Sequence, residues 1–263
     1  MTEYQTVRVE RSGHVAELRL DRPDKLNAFD DALVNELPGV LLDLARDPEV
    51  RAVVLTSTGK HFSAGGEMDT IVAGHDDLNV LMRGVDDGRR LFRAFADFPK
   101  PIVVVVQGSS FGVATSLVFT ADAVVTTPDS VLSDPHVHIG LVAGDGGVVA
   151  WPLSAGLARA KRQLLWGEPL TGAQAHELGL VSDLADDNDS ARALGFELAE
   201  RVAALPPIAV QLTKRSLNRV LSASTHDVLD TSFYLEALSN RSADALEAVN
   251  AFREKREGQW TGA

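Results

Sequence analysis

The chain of 263 residues contains no cysteine. That excludes disulfides, thiolate nucleophiles and cysteine-ligated zinc or iron–sulfur centres, and it fits a cytoplasmic enzyme. No apolar run approaches the roughly 18 residues that cross a bilayer, so no membrane partner is expected. The opening MTEYQTVRVE has neither a basic nor an apolar leader segment, so no signal peptide is expected. Positive charge is scarce, with 25 Lys and Arg against 37 Asp and Glu and a formal net charge of −12. Nucleic-acid binding rests on neutralising phosphates and is disfavoured. The basic residues do gather at Arg159–Lys161–Arg162, Lys214–Arg215 and Arg253–Lys255–Arg256. Each group reads as a solvated helix face, although a cluster suffices to meet an anionic ligand.

What is present reads as an α/β chain. Residues 5–10 and 14–20 alternate around Ser12–Gly13 as a hairpin. Asp30 reads as an N-cap, and Leu33, Leu37, Leu41 and Leu44 repeat at helical spacing, with Pro38 expected to kink or interrupt the first turns. Residues 51–57 and 102–107 are apolar, β-branched runs typical of strands buried on both faces. A helix is predicted over 78–97, another over 113–120, and short strands at 123–126 and 131–133. Beyond Thr171 the pattern is almost wholly helical, with helices near 190–204, 208–221, 226–239 and 242–256. This divides the chain into a β/α core domain over 1–205 and a helical region over 206–263.

The stretch with the most chemistry runs from Val131 to Pro152. His136 is followed nine residues later by Asp145, set in a glycine-rich bend of Gly144, Gly146 and Gly147 that feeds a helix expected to begin at Val148. Histidine exchanges protons near neutral pH, and a carboxylate across the bend can orient it. His136 and His138 are expected on one face of a strand, with Asp134 alongside. No His-Glu-x-x-His spacing accompanies them, and no metal is expected. His14, His61, His75, His176 and His226 read as surface or packing residues.

Three stretches together resemble the enoyl-CoA hydratase/isomerase (crotonase) superfamily: His61-Phe-Ser-Ala-Gly-Gly-Glu-Met68, the segment from Val106 to Asp122, and that from Pro135 to Gly147. The opening Arg22-Pro-Asp-Lys-Leu-Asn-Ala28 and the closing Ala251-Phe-Arg-Glu-Lys-Arg256 add to the likeness. The resemblance implies a crotonase-like β-β-α spiral core with an α-helical C-terminal appendage that makes trimers or dimers of trimers. It implies an acyl-CoA substrate with coenzyme A as part of it, no other cofactor, and an enolate whose oxygen is held by the N–H groups of Gly66 and Val113. Lys25, Ala64, Phe252 and Lys255 are implied in coenzyme A binding, and Glu67, Ser116 and Glu236 in the substrate pocket, with Glu236 otherwise a surface residue of its helix.

The two glutamates of the best-known hydratases fall at Ser116 and His136. A serine hydroxyl cannot replace a glutamate as general base, which leaves His136, Asp145 or Glu67 to move protons. His136 with Asp145 also resembles the subgroup containing 6-oxocamphor hydrolase, which cleaves a carbon–carbon bond of a β-diketone. Three outcomes stay open: hydration or isomerisation of an enoyl-CoA, carbon–carbon hydrolysis of a 1,3-dicarbonyl compound, and acyl-CoA binding without catalysis.

Overall fold

The computed structural model describes residues 4–263, and their side chains except at 224–226; His226 lies outside the described residues. Strands β1 (Val7–Ser12) and β2 (Val15–Leu20) form the expected hairpin. Helix α1 (Asp31–Arg46) starts where the Asp30 carboxylate accepts the Leu33 N–H at 3.1 Å. It continues through Pro38, against expectation. Leu33, Leu37, Val40, Leu41 and Leu44 are all buried, and their packing outweighs the one hydrogen bond the proline forgoes.

Strand β3 (Ala52–Ser57) is buried along its whole length. Two helices follow, α2 (Met68–Asp76), which the sequence reading did not anticipate, and α3 (Leu78–Ala96). Then come β4 (Ile102–Val106), β5 (Ser109–Phe111), α4 (Val113–Val118), β6 (Ala123–Thr126) and β7 (Val131–Ser133). The glycine bend leads into α5 (Gly147–Ala155), then α6 (Leu157–Trp166), β8 (Leu170–Thr171), α7 (Gly172–Glu177), β9 (Asp183–Leu184) and α8 (Asn188–Ala203). The main sheet has the order β1-β2-β3-β4-β6-β9 and is parallel except for the β1–β2 pair. A smaller sheet of order β5-β7-β8 stands beside it.

Helices α9 (Pro207–Ser224), α10 (Asp230–Asn240) and α11 (Ala243–Glu254) complete the chain, with a π-helical turn between α9 and α10 where a break was expected. They fold back over the core of their own chain. Lys214 on α9 is buried rather than solvated, and its ammonium donates to the Lys100 carbonyl at 2.8 Å and to Asp122 at 2.5 Å. The start of α10 is pinned to α3 by Asp230, which accepts from Arg89 and Arg93, both at 2.7 Å. The α10 side chain Phe233 lies against Gly88 of α3, where a Cβ would come within 2.7 Å of the ring. The C-terminal region therefore supplies one wall of the interior as well as an outer surface.

Candidate active site

Strand β7 ends at Ser133, and the next residues close a 3-10 turn over His136–Ile139. A turn, not a strand, carries the two histidines, so they diverge: His136 is buried and His138 exposed. The tight turn brings the Asp134 carboxylate onto His136 Nδ1 in a short hydrogen bond. Gly112, with φ +51°, lies against the same imidazole, and a Cβ there would sit 3.2 Å from the ring Cε1. Beyond the ring, His136 Nε2 is 3.2 Å from Asp145 Oδ2. Ser116, fully buried on α4, donates to Asp145 Oδ1 at 3.3 Å.

Asp134 thus joins Asp145 in holding His136, each at a different ring nitrogen. Asp134, His136 and Asp145 form a line with a carboxylate at each ring nitrogen. Their potential ligand atoms fall within 4.8 Å of one another, with Asp134 at Nδ1 and Asp145 facing Nε2. Burial opposes protonation of the imidazole, yet the charges of Asp134 and Asp145 outweigh it and hold the His136 pKa well above the usual 6.5. The two carboxylates thereby favour the protonated ring, which donates hydrogen bonds.

Glu236 reaches this line from α10. Gly144 makes the approach possible, because a Cβ there would stand 2.3 Å from the Ser232 carbonyl oxygen and 2.8 Å from Glu236 Oε2. Oε2 is closed off from solvent with no hydrogen-bond partner among the described residues. Burial first, and the neighbouring Asp145 next, push this carboxyl up to about 8, against the opposing pull of His136. The surface placement read from sequence is corrected: the acid is inside, and neutral at pH 7.

Asp145 and Glu236 share the wall of a cavity of about 180 Å³ enclosed by α1, α2, α3 and α10, whose other walls include Phe29, Val34, Ile71, Leu81, Val85 and Phe233. His136 stands behind Asp145 and is not part of that wall. A larger groove of about 920 Å³ between the β1–β2 hairpin and α1 contains none of the candidate catalytic or binding residues.

The loop 62–66 runs beside the segment 107–113. Ser63 bridges Ser110 in parallel register, with Ser63 N–H to Ser109 O at 3.1 Å and Phe111 N–H to Ser63 O at 3.2 Å. Beyond that bridge both backbones turn, at Gly65 (φ +85°) and Gly112 (φ +51°), and a Cβ at Gly65 would stand 2.7 Å from the Phe111 carbonyl oxygen. On its other side the loop bonds to residues 26–29, through Ala64 N–H to Leu26 O at 3.0 Å and Glu67 N–H to Phe29 O at 3.4 Å. The parallel Phe29–Gly66 bridge is made through Gly65 O and Glu67 N–H, so the Gly66 N–H points away from Phe29. Neither the Gly66 nor the Val113 N–H has an acceptor among the described residues.

The remaining sequence-flagged residues lie apart from the cavity. Lys25 is exposed, 3.3 Å from Asp30 and 3.8 Å from Glu67. Glu67 is at the N-terminus of α2, makes no capping bond and is not on the cavity wall. Ala64 is exposed beside Gly66, while Phe252 and Lys255 are exposed at the end of α11. Sequence reasoning did not assign Asp134 to the histidine and did not single out Asn240, which also lines the cavity.

A family model described as Enoyl-CoA hydratase/isomerase matches residues 10–263. The chain belongs to that family. It is 32% identical to the 1,2-epoxyphenylacetyl-CoA isomerase of Escherichia coli K12 over the full length of both chains. Among solved structures it resembles an enoyl-CoA hydratase/isomerase from Mycobacterium paratuberculosis, with a TM-score of 0.89, 34% identity, and 95% of this chain and 99% of that one covered. A β-diketone hydrolase from Anabaena sp. PCC 7120 shares the fold, with a TM-score of 0.84 at 23% identity over 90% of this chain and 95% of that one. The fold is the crotonase-like α/β fold with helices at the C-terminal end.

Proposed function

We propose that this enzyme moves protons on an acyl-CoA thioester through an enolate, in a hydration or a double-bond isomerisation. One observation carries the reading: two carboxyl groups in different surroundings, Asp145 beside His136 and Ser116 and Glu236 closed off from solvent, face one cavity. Asp145 accepts a hydrogen bond from Ser116 and pairs with His136 Nε2, and Glu236 holds its proton to about pH 8. Two acids whose surroundings set them apart in this way divide into base and acid. The Gly66 and Val113 N–H groups receive the thioester oxygen as negative charge develops on it. Asp145 removes a proton from the substrate carbon or from water, and Glu236 returns one. His136, protonated and held by Asp134, steadies the Asp145 charge from behind. The pair takes the place of the glutamates missing at positions 116 and 136.

The names of relatives that act on coenzyme A thioesters support the substrate class. The exposed backbone at Ala64 and Gly66, with Lys25 nearby and Phe252 and Lys255 at the end of α11, offers the surface for the coenzyme A portion. The exposed Leu205, Ile208 and Leu212 around the start of α9 fit packing between copies of the chain. Light scattering on the purified protein is expected to give a trimer or a hexamer, and a monomer at micromolar concentration ends that part of the reading.

The test of the chemistry is hydrogen exchange. A saturated acyl-CoA incubated with the enzyme in D₂O should gain deuterium at its α-carbon, read by mass spectrometry, whichever net reaction the natural substrate undergoes. Absence of exchange with every acyl-CoA tried rejects the enolate reading for thioesters.

The Asp134–His136–Asp145 line favours a second reading. Water held by Asp145 adds to one carbonyl of a cyclic 1,3-diketone, the ring carbon–carbon bond breaks, and the departing enolate takes its proton from Glu236. A cyclic β-diketone consumed while acyl-CoAs exchange no hydrogen selects this alternative.

A further inference from the structure

The cavity shared by Asp145 and Glu236 is walled by carboxyl groups and apolar side chains. Asp30 and Asp31 reach it from the start of α1, Asp87 from α3, Asp145 from the glycine bend and Glu236 from α10. Val34, Val80, Leu81, Val85, Leu141 and Phe233 supply much of the apolar surface. No Lys, Arg or His belongs to the described lining.

The cations around this wall are engaged from outside it. Arg22 grips both oxygens of Asp30, and Lys25 Nζ lies 3.3 Å from the same carboxylate. Arg90 Nη2 is 3.0 Å from Asp87 Oδ1 and also donates to Asn35. Arg89 and Arg93, on the same helix, turn to Asp230. His136 stands behind Asp145, between two carboxylates. An anion entering the cavity therefore meets the acids first, and it loses hydration without gaining a partner.

Glu236 shows what these surroundings do to a carboxyl already in place. Burial, then Asp145, push its pKa up to about 8, and its Oε2 has no hydrogen-bond partner among the described residues. A carboxylate carried in by a substrate enters the same surroundings, with Asp30, Asp31 and Asp87 on the wall as well. A hydrocarbon end has little hydration to lose and gains contact with the apolar side chains.

Resting on the acyl-CoA reading above, we infer that the enzyme acts on uncharged acyl groups and that its acid-lined cavity excludes those ending in a carboxylate. Asp31 and Asp87, which take no part in the proton transfer, act as a charge filter.

Three thioesters of one chain length test this by α-hydrogen exchange in D₂O. Hexanoyl-CoA ends in a methyl group and adipoyl-CoA in a carboxylate. The half-amide of adipoyl-CoA, with a carboxamide in place of the carboxylate, keeps that shape without the charge. The half-amide is expected to exceed adipoyl-CoA in kcat/KM by at least about tenfold, within the ~10³-fold that protonating an ordinary carboxylate near pH 7.5 would cost. A smaller ratio in the wild type, or one in favour of adipoyl-CoA, overturns the inference. So does failure of both while hexanoyl-CoA exchanges, since polarity rather than charge is then the criterion. The double variant Asp31→Asn/Asp87→Asn leaves Asp145 and Glu236 in place and should narrow the ratio severalfold; an unchanged ratio overturns the filter role of these two residues. Absence of exchange with all three thioesters is a separate result, which removes the acyl-CoA reading and this inference with it.

Discussion

Asp145→Asn is expected to lower kcat by about 10²–10⁴ while leaving KM within a few-fold, the usual scale for losing a general base. Asp145 lines the cavity and His136 does not, so the group that can touch substrate is the carboxylate. Asparagine keeps the shape and can still accept the Ser116 hydroxyl, so the fold and the binding of substrate should survive. What it loses is the capacity to take a proton. The comparison variant is Asp134→Asn, which leaves Asp145 in place but weakens the partner of His136 Nδ1. Asp134 touches no wall of the cavity and acts only through the imidazole, so it is a positioning residue. Its loss should cost less in rate and should lower the pKa of His136, because one of the two charges that raise it is removed. Steady-state kinetics and an NMR titration of the imidazole read these two effects separately. Turnover of Asp145→Asn within threefold of the wild type would return the catalytic role to His136 or leave the protein a binder.

Most of the scaffold was legible because it depends on local signals. The buried runs at 52–57 and 102–106 became β3 and β4, and Asp30 caps the helix that follows it. Pro38 misled because the propensity of one residue is a weak force beside five buried side chains on the same helix. Helix α2 was missed because only Gly74 among its residues is buried, so its sequence carries no apolar stripe to read. At the site, the His136 and Asp145 spacing was readable, yet Asp134 was considered only beside a supposed strand, where a 3-10 turn in fact folds it back on its neighbour. Glu236 is brought to Asp145 by the return of α10 across the core, a long-range event with no local signature. A faint signal did exist. Ser232, Phe233, Glu236, Ala237 and Asn240 follow helical spacing, and three of the five are polar in a stripe that the structure packs inward.

The pH dependence should follow Glu236. Its carboxyl is neutral below about pH 8, so a rate that needs its proton holds to that point and then falls tenfold per pH unit. Glu236→Gln cannot supply the proton, and its residual rate should lack the alkaline fall. Stability gives an independent reading with a definite sign. In the unfolded chain this carboxyl ionises near 4.5, while in the native chain burial and Asp145 defer ionisation to about 8. Between those values the native state holds a proton that the unfolded state has released, so raising pH through this window favours unfolding by up to ~1.4 kcal/mol per pH unit. The uncharged amide of the variant has no such linkage. The stability of Glu236→Gln minus that of the wild type should therefore rise from about pH 4.5, reach a few kcal/mol by the order of magnitude of the shift, and level off above about pH 8. Urea unfolding of the two proteins at several pH values measures it directly, and a difference that stays flat from pH 5 to pH 9 would mean that Glu236 ionises as an ordinary exposed acid and cannot be the proton donor.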